Sequence, residues 1–242
     1  MQSKHHRLDR FISKKKQIKR KDVRLILAQK RIIVNGQIAT DSQQIVGPFC
    51  TILLDGEELQ KQQAFYLILN KPIGYISATN DDKHKTIFDL IDEHDYPNLH
   101  MVGRLDLNTS GLILLTNDGN WSRAICSPKA GINKHYLVGL KNNVTADYID
   151  AFEKGMFFSY ENKTTQPALL EIIDKKQVQV SLSEGMYHQI KRMFGRFRNP
   201  VLSLHRYQIG PIELCSTLAP GQYRELTTKE RQALQNYINN SF

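Results

Sequence analysis

This sequence predicts an α+β fold, with a small basic unit ahead of a larger, sheet-rich domain. Three observations carry that expectation. Short apolar or β-branched runs alternate irregularly with helical stripes and show no repeated strand-helix-strand unit, which argues against a doubly wound parallel sheet. The hydrophobic period changes from helical to alternating near residue 31. The charge is confined: of a net +9, the first 31 residues hold +10, twelve Lys or Arg against Asp9 and Asp22, and the remainder holds −1.

Taken in order, Leu8, Phe11 and Ile12, then Val23, Leu25, Ile26 and Leu27, make two short helical stripes separated by a basic stretch. Ile32-Ile33-Val34, Asn35-Gly36 and Gln37-Ile38-Ala39 read as a tight hairpin, because Asn-Gly supplies the positive φ angles of its turn. Thr51 to Leu54 is a further strand that ends at the turn signal Asp55-Gly56. The polar run from 57 to 63 reads as a linker, so the domains expected are 1–56 and 64–242. Beyond it, strands are expected at Phe65 to Leu69, Tyr75 to Ala78, Leu112 to Thr116, His135 to Leu140, Ala168 to Ile173, Val178 to Leu182 and Val201 to Leu204. Helices are expected at Asn120 to Cys126, Ala146 to Lys154, Tyr187 to Phe197 and Lys229 to Ile238, the last opened by a Thr227-x-x-Glu230 capping box.

With 242 residues, 40% of them hydrophobic, the chain can bury one or two cores; a collagen, a disulfide miniprotein and a fully disordered chain are excluded. Cys50, Cys126 and Cys215 form no C-x-x-C, and their odd number fits a reducing cytosol. Cys126, in a helical run, reads as a small buried hydrophobe. Neither a signal-peptide core nor an 18-residue apolar run exists, so a soluble, cytoplasmic, unprocessed protein is expected. The basic N-terminal segment calls for a polyanion, and it lacks the bulky apolar face that membrane insertion requires.

The densest chemical constellation is Gly103-Arg104-Leu105-Asp106-Leu107-Asn108-Thr109-Ser110-Gly111, followed by the apolar run Leu112 to Leu115. A Gly-bounded loop at the start of a buried strand can present a carboxylate to a cleft. It is not a P-loop, since the Gly-Lys-Ser/Thr ending is missing. A lone loop Asp is more often a turn or cap residue than a nucleophile, so this loop alone does not decide.

Further motifs accompany it. Lys71-Pro72-x-Gly74-Tyr75, Gly103-Arg104-Leu105-Asp106 with Thr109-x-Gly111-Leu112, Lys134-x-Tyr136, and Ser183-Glu184-Gly185-x-Tyr187-His188-Gln189-Ile190-Lys191-Arg192-Met193 together resemble, in order and spacing, the RsuA-type ribosomal RNA pseudouridine synthases. Arg7-Leu8-Asp9-x-Phe11-Ile12 and Val34-Asn35-Gly36 resemble the S4 RNA-binding domain that such enzymes carry first. The resemblance implies a largely antiparallel mixed sheet in the second domain and isomerisation of uridine to pseudouridine, a reaction that needs no cofactor and no metal.

By the same resemblance Asp106 would be the nucleophile and Lys191 its ion-pair partner, with a point charge where relatives commonly carry the fork of Arg. Tyr136 would stack on the uracil, Arg104 would hold open the helix left by the flipped nucleotide, and Leu182 would touch the base. His188 and Arg192 are expected to contact substrate, and Arg7, Lys19, Arg20, Lys21, Arg24, Lys30 and Arg31 to bind RNA. Lys71-Pro72-x-Gly74 reads as structural support for the Asp106 loop. Asp118-Gly119-x-Trp121-Ser122, Ser127-Pro128 and the Ser183-Glu184-Gly185 motif look like the small-subunit variant. The partner expected is therefore 16S ribosomal RNA, free or in an assembly intermediate, with a monomeric protein.

Other readings compete with these. Ile190, Met193, Phe194 and Phe197 follow core spacing, and the face with His188, Lys191, Arg192, Arg196 and Arg198 would be solvated unless Asp106 is catalytic. Asp92-Glu93-His94-Asp95 with His100 reads as an acidic helix end without fixed metal-ligand spacing. The alternatives are a 23S-directed synthase, a non-catalytic RNA-binding assembly factor, and a metal-dependent phosphodiesterase using Asp81, Asp82, Asp92 and Asp95.

Overall fold

The computed structural model describes residues 5–239; Lys4 of the basic segment lies outside them. The chain divides into two compact units, Met1–Ala64 and Phe65–Phe242.

The first unit runs β1 (His6–Arg7), α1 (Leu8–Lys16), α2 (Arg20–Ala28), β2 (Ile32–Val34), β3 (Gln37–Ile38), β4 (Ile45–Val46), β5 (Ile52–Leu54) and β6 (Glu57–Gln60). β3-β2-β5-β6 form an antiparallel sheet, and β1 pairs β4. The stripes of both helices, Leu8, Ile12, Val23 and Leu27, bury against Ile32, Val34, Ile52 and Leu54. Asn35 and Gly36 both take positive φ, 51° and 79°, and close the β2–β3 hairpin as expected. Asp55 and Gly56 do the same at 53° and 82°. That second turn corrects the linker assignment: it sends Glu57–Gln60 back along β5, where Leu59 is buried in the core.

The second unit contains β7 (Tyr66–Lys71), β8 (His100–Val102), β9 (Ser110–Thr116), α3 (Gly119–Cys126), β10 (Lys134–Leu140), α4 (Asp147–Lys154), β11 (Phe157–Phe158), β12 (Lys163–Thr164), β13 (Leu169–Asp174), β14 (Gln177–Leu182), α5 (Gln189–Gly195), β15 (Val201–Ile209), β16 (Ile212–Glu213), β17 (Tyr223–Glu225) and α6 (Thr228–Asn239). Among the described residues nine strands make one sheet, in the order β13-β14-β10-β15-β9-β7-β17, with β16 on β15 and β8 on β9. Only β15 and β9 pair in parallel, so the sheet is mixed and largely antiparallel. Tyr75 to Ala78, expected as a strand, makes a single bridge, Ile76 to Thr86: its backbone pairing is confined to Ile76, whose N–H donates to Lys85 O and whose carbonyl accepts from Ile87 N.

On one side of the parallel joint, α4 and α5 cover β10 and β14, with Phe152, Met193 and Phe194 fully buried. On the other, Trp121 and Ile125 of α3 and Leu234 and Ile238 of α6 cover β7 and β9. The opposite face of β7 and β9 is buried too, through Leu67, Leu69, Ile113 and Leu115. Burial on both faces explains why these strands read as continuous apolar runs rather than as alternation. At the joint Gly111 faces Arg206, and a Cβ there would lie 2.2 Å from the Arg206 carbonyl oxygen. Its φ of 107° also requires glycine.

Candidate active site

Asp106 sits in the loop between β8 and β9, and that loop is nailed down by the last residue of β7 and the segment that follows it. Lys71, with no exposed surface, donates from Nζ to the carbonyls of Pro72 at 3.0 Å, Asp106 at 3.0 Å and Thr109 at 2.7 Å. All three donors of the ammonium are thereby used, and burial pushes Lys71 down to about 8. Ser77 Oγ accepts from Leu105 N at 3.0 Å and lies 2.7 Å from Leu105 O, while Gly74 N donates to Leu107 O at 3.0 Å. Thr109 N closes the turn on Asp106 O at 3.0 Å.

Two side chains from around the start of α5, the Lys191 ammonium and the His188 imidazole, meet the Asp106 carboxylate. Lys191 Nζ lies 3.2 Å from Oδ2, and His188 Nε2 lies 3.4 Å from Oδ1. A lysine leaves one carboxylate oxygen unclaimed; here the imidazole faces it, placing the expected substrate contact His188 directly against Asp106. His188 holds left-handed backbone angles, φ 49° and ψ 32°, at the N-cap of α5, and its ring stacks on the exposed Tyr187 at 3.9 Å. A non-glycine residue in that region is held there by its surroundings. The buried Gln189 supplies part of them, accepting from Met186 N and donating to Glu184.

Tyr136 and Leu182, buried on β10 and β14, Ile190 and Leu204 complete a cavity of about 100 Å³ over Asp106. A second, of about 500 Å³, shares Asp106 and Tyr136 and reaches Ser77, Cys126, Lys134 and Arg206. Arg104, exposed, lines both. The structure therefore brings together Arg104, Asp106, Tyr136, Leu182, His188 and Lys191.

Arg192 is placed otherwise. Its guanidinium forks onto Glu161 at 2.5 and 2.7 Å and stacks over Phe158 at 3.8 Å, and it lines neither cavity. Cys126, expected to be buried, is exposed at the rim of the larger cavity, because α3 turns Trp121 and Ile125 inward instead.

Arg206 was not singled out from sequence. It is 4% exposed, donates from Nε to Leu112 O at 2.7 Å and from Nη1 to the Tyr136 hydroxyl at 3.4 Å, and its guanidinium lies 5.9 Å from the Tyr136 ring centre. The one available signal was alternation: Arg206 lies two residues after the buried Leu204 and so on the inward face of β15.

In the first unit Lys19, Arg20, Lys21, Arg24 and Lys30 are exposed, and no carboxylate pairs with them among the described residues. Two other expected RNA contacts are engaged internally. Arg7 forks onto the buried Asp9 at 3.1 and 2.8 Å, and Arg31 onto Asp55 at 2.7 and 2.6 Å.

Residues 65–195, which carry the Asp106 loop, the Tyr136 strand and the start of α5, match the model of the family described as RNA pseudouridylate synthase. The chain belongs to that family. It is 43% identical over 225 residues to the ribosomal small subunit pseudouridine synthase A of Pseudomonas aeruginosa, covering 93% of this chain and 98% of the relative. It is 41% identical to the protein of that name from Escherichia coli K12, at 93% and 97% coverage. A crystal structure of a pseudouridylate synthase matches with a TM-score of 0.68 and 38% identity, over 94% of this chain and 99% of that one. The enzyme class is thus an RNA isomerase, consistent with a carboxylate held in a cleft beside an aromatic side chain. Among the described residues no helix is long and apolar enough to cross a membrane.

Proposed function

We propose that this enzyme isomerises a uridine of 16S ribosomal RNA to pseudouridine, with Asp106 as the nucleophile. The observation that carries the reading is the Asp106 carboxylate itself, gripped at Oδ2 by Lys191 and faced at Oδ1 by His188 in a cavity walled by Tyr136 and Leu182. The reaction breaks the bond from C1′ to N1 and forms one from C1′ to C5; the proton on C5 is lost and N1 gains one, so composition is unchanged. No electron acceptor enters. A uracil in the cavity would lie against Tyr136 and Leu182, which suits a flat, neutral ring. Arg104 is free at the mouth to occupy the space the flipped nucleotide leaves.

The 16S assignment is supported by the names and the near full-length match of the relatives. The first unit acts in this reading as an S4-like RNA-binding domain. Its support is the exposed row Lys19, Arg20, Lys21, Arg24 and Lys30, which can meet phosphates without first breaking an ion pair.

The test is incubation of the purified protein with unmodified 16S and 23S transcripts and their ribonucleoprotein particles, followed by carbodiimide-dependent reverse-transcription mapping. One new stop in 16S RNA is expected. A stop only in 23S RNA would overturn the substrate, and no stop in either RNA, whether as transcript or as ribonucleoprotein particle, would overturn the activity. Asp106→Asn should bind RNA as the parent does and lose isomerisation by about 10³-fold or more, as expected for loss of a nucleophile.

A further inference from the structure

The cleft holds more positive charge than the grip on Asp106 uses. Lys191 and His188 face that carboxylate, but Lys134 and Arg206 line the larger cavity with no carboxylate partner among the described residues. They come from adjacent strands: Arg206 pairs with Tyr136 across β10 and β15, and Lys134, two residues before Tyr136, shares its face of the sheet. The other carboxylate of the cleft, Glu184, is already engaged by Gln166 N and Gln189 Nε2, each at 2.8 Å, and by Lys163 at 3.5 Å.

Donors are in surplus as well. Lys134 spends one N–H on Ser183 O at 3.2 Å. Arg206 Nη2 is shut from solvent and has no hydrogen-bond partner. Two half-buried or buried cations side by side, uncompensated, disfavour each other, and Lys134 is pushed down first by its burial and then by Arg206. A ligand that fits must therefore bring negative charge and several acceptor oxygens. A neutral uracil brings acceptor oxygens but no charge, whereas a phosphodiester brings both.

We propose that Lys134, backed by Arg206, forms a phosphate subsite that receives a backbone phosphodiester of the target nucleotide. The proposal rests on the isomerase reading for its ligand, while the anion site itself stands on the geometry. Lys134 makes the direct contact and Arg206, behind it, supplies the field and holds Tyr136. The phosphate anchors the nucleotide on this side while Tyr136 and Leu182 take the base.

Cys126 lines the same cavity and gives a local readout that does not depend on catalysis. In full-length protein carrying Cys50→Ser and Cys215→Ser, alkylation of Cys126 by a neutral maleimide would be followed with and without inorganic phosphate, at matched ionic strength. Phosphate should slow alkylation in the parent and in Lys134→Arg, and should have no effect in Lys134→Gln. Equal protection in Lys134→Gln, or none in the parent, would overturn the subsite.

A second arm measures tritium release from [5-³H]uridine-labelled 16S RNA. Lys134→Gln should raise KM about ten-fold or more, the value of one charge-assisted hydrogen bond, with kcat little changed, and Lys134→Arg should restore it. Unchanged KM with phosphate protection intact would assign the site to free phosphate and overturn the RNA contact. No release by the parent, with protection intact, would overturn the isomerase reading and leave the anion site in place.

Discussion

Lys71 and Asp106 are joined through the main chain: the buried ammonium of one donates to the carbonyl of the other at 3.0 Å, on the opposite side of the residue from the carboxylate that Lys191 holds. Asp106 is thus fixed at both its backbone and its side chain by two different lysines. The nucleophile role proposed for Asp106 requires its carboxylate to be held within a fraction of an ångström of its target, and a loop so pinned can do that where a free loop cannot.

That relationship makes activity sensitive to alkaline pH. Burial brings Lys71 from 10.5 to about 8. Above about pH 8 the neutral amine has two hydrogens for three carbonyls, and the loop loses a bond. Isomerisation at saturating RNA should therefore decline with an apparent pKa near 8 while RNA binding persists. The stability linkage has the opposite sign. Because the folded value lies below the unfolded one, this group's contribution to stability rises with pH between about 8 and 10.5. Urea unfolding at pH 7.5 and 10 should show that rise, and Lys71→Met should abolish it.

At the parallel joint, Gly111→Ala should cost about 2–4 kcal/mol, since the new methyl would meet the Arg206 backbone at 2.2 Å and φ is 107°. Thermal or urea unfolding would show it. An unchanged midpoint would mean that β9 and β15 can part without cost.

Glu230 caps α6. It accepts from Thr227 N at 2.8 Å, its own N–H donates to Thr227 Oγ1 at 3.2 Å, and Arg224 forks onto it at 2.9 and 2.8 Å, so the expected capping box is formed. The Arg224 hydrogen bonds are the largest influence that brings its carboxyl down to about 2 from 4.5. Its stabilisation is present above pH 4.5 and is lost as pH falls through about 2. Glu230→Gln should cost roughly 1 kcal/mol at pH 7, and the two proteins should converge toward pH 2 in urea melts.

For the first unit, replacing Lys19, Arg20, Lys21 and Arg24 together with Gln should flatten the dependence of log K on log salt by about 3–4, the counterions those four side chains displace. The same slope in parent and variant would remove this row from the RNA interface.

Much of the enzyme was legible in its sequence because the signals were local. Helical stripes at 8–12 and 23–27, the Asn35-Gly36 turn, the Thr227-x-x-Glu230 box and the apolar run into β9 each declare a conformation within a few residues. The loop of Asp106 and the strand of Tyr136 were readable in a different way, through the order of motifs along the chain. The boundary at 57–60 was missed because Glu57 and Glu58 look like linker, and only pairing with β5 makes them strand.

What sequence alone determined is the chemistry available: a carboxylate, an aromatic and cations at stated spacings, plus a basic segment confined to the first 31 residues. What the tertiary structure decided is which cation serves which partner. A basic residue's meaning depends on the charge within a few ångströms, and those neighbours lie tens of residues away along the chain. Arg192 goes to Glu161, Arg7 to Asp9 and Arg31 to Asp55, the His188 imidazole faces Asp106, and among the described residues Lys134 and Arg206 have no carboxylate partner in the cleft.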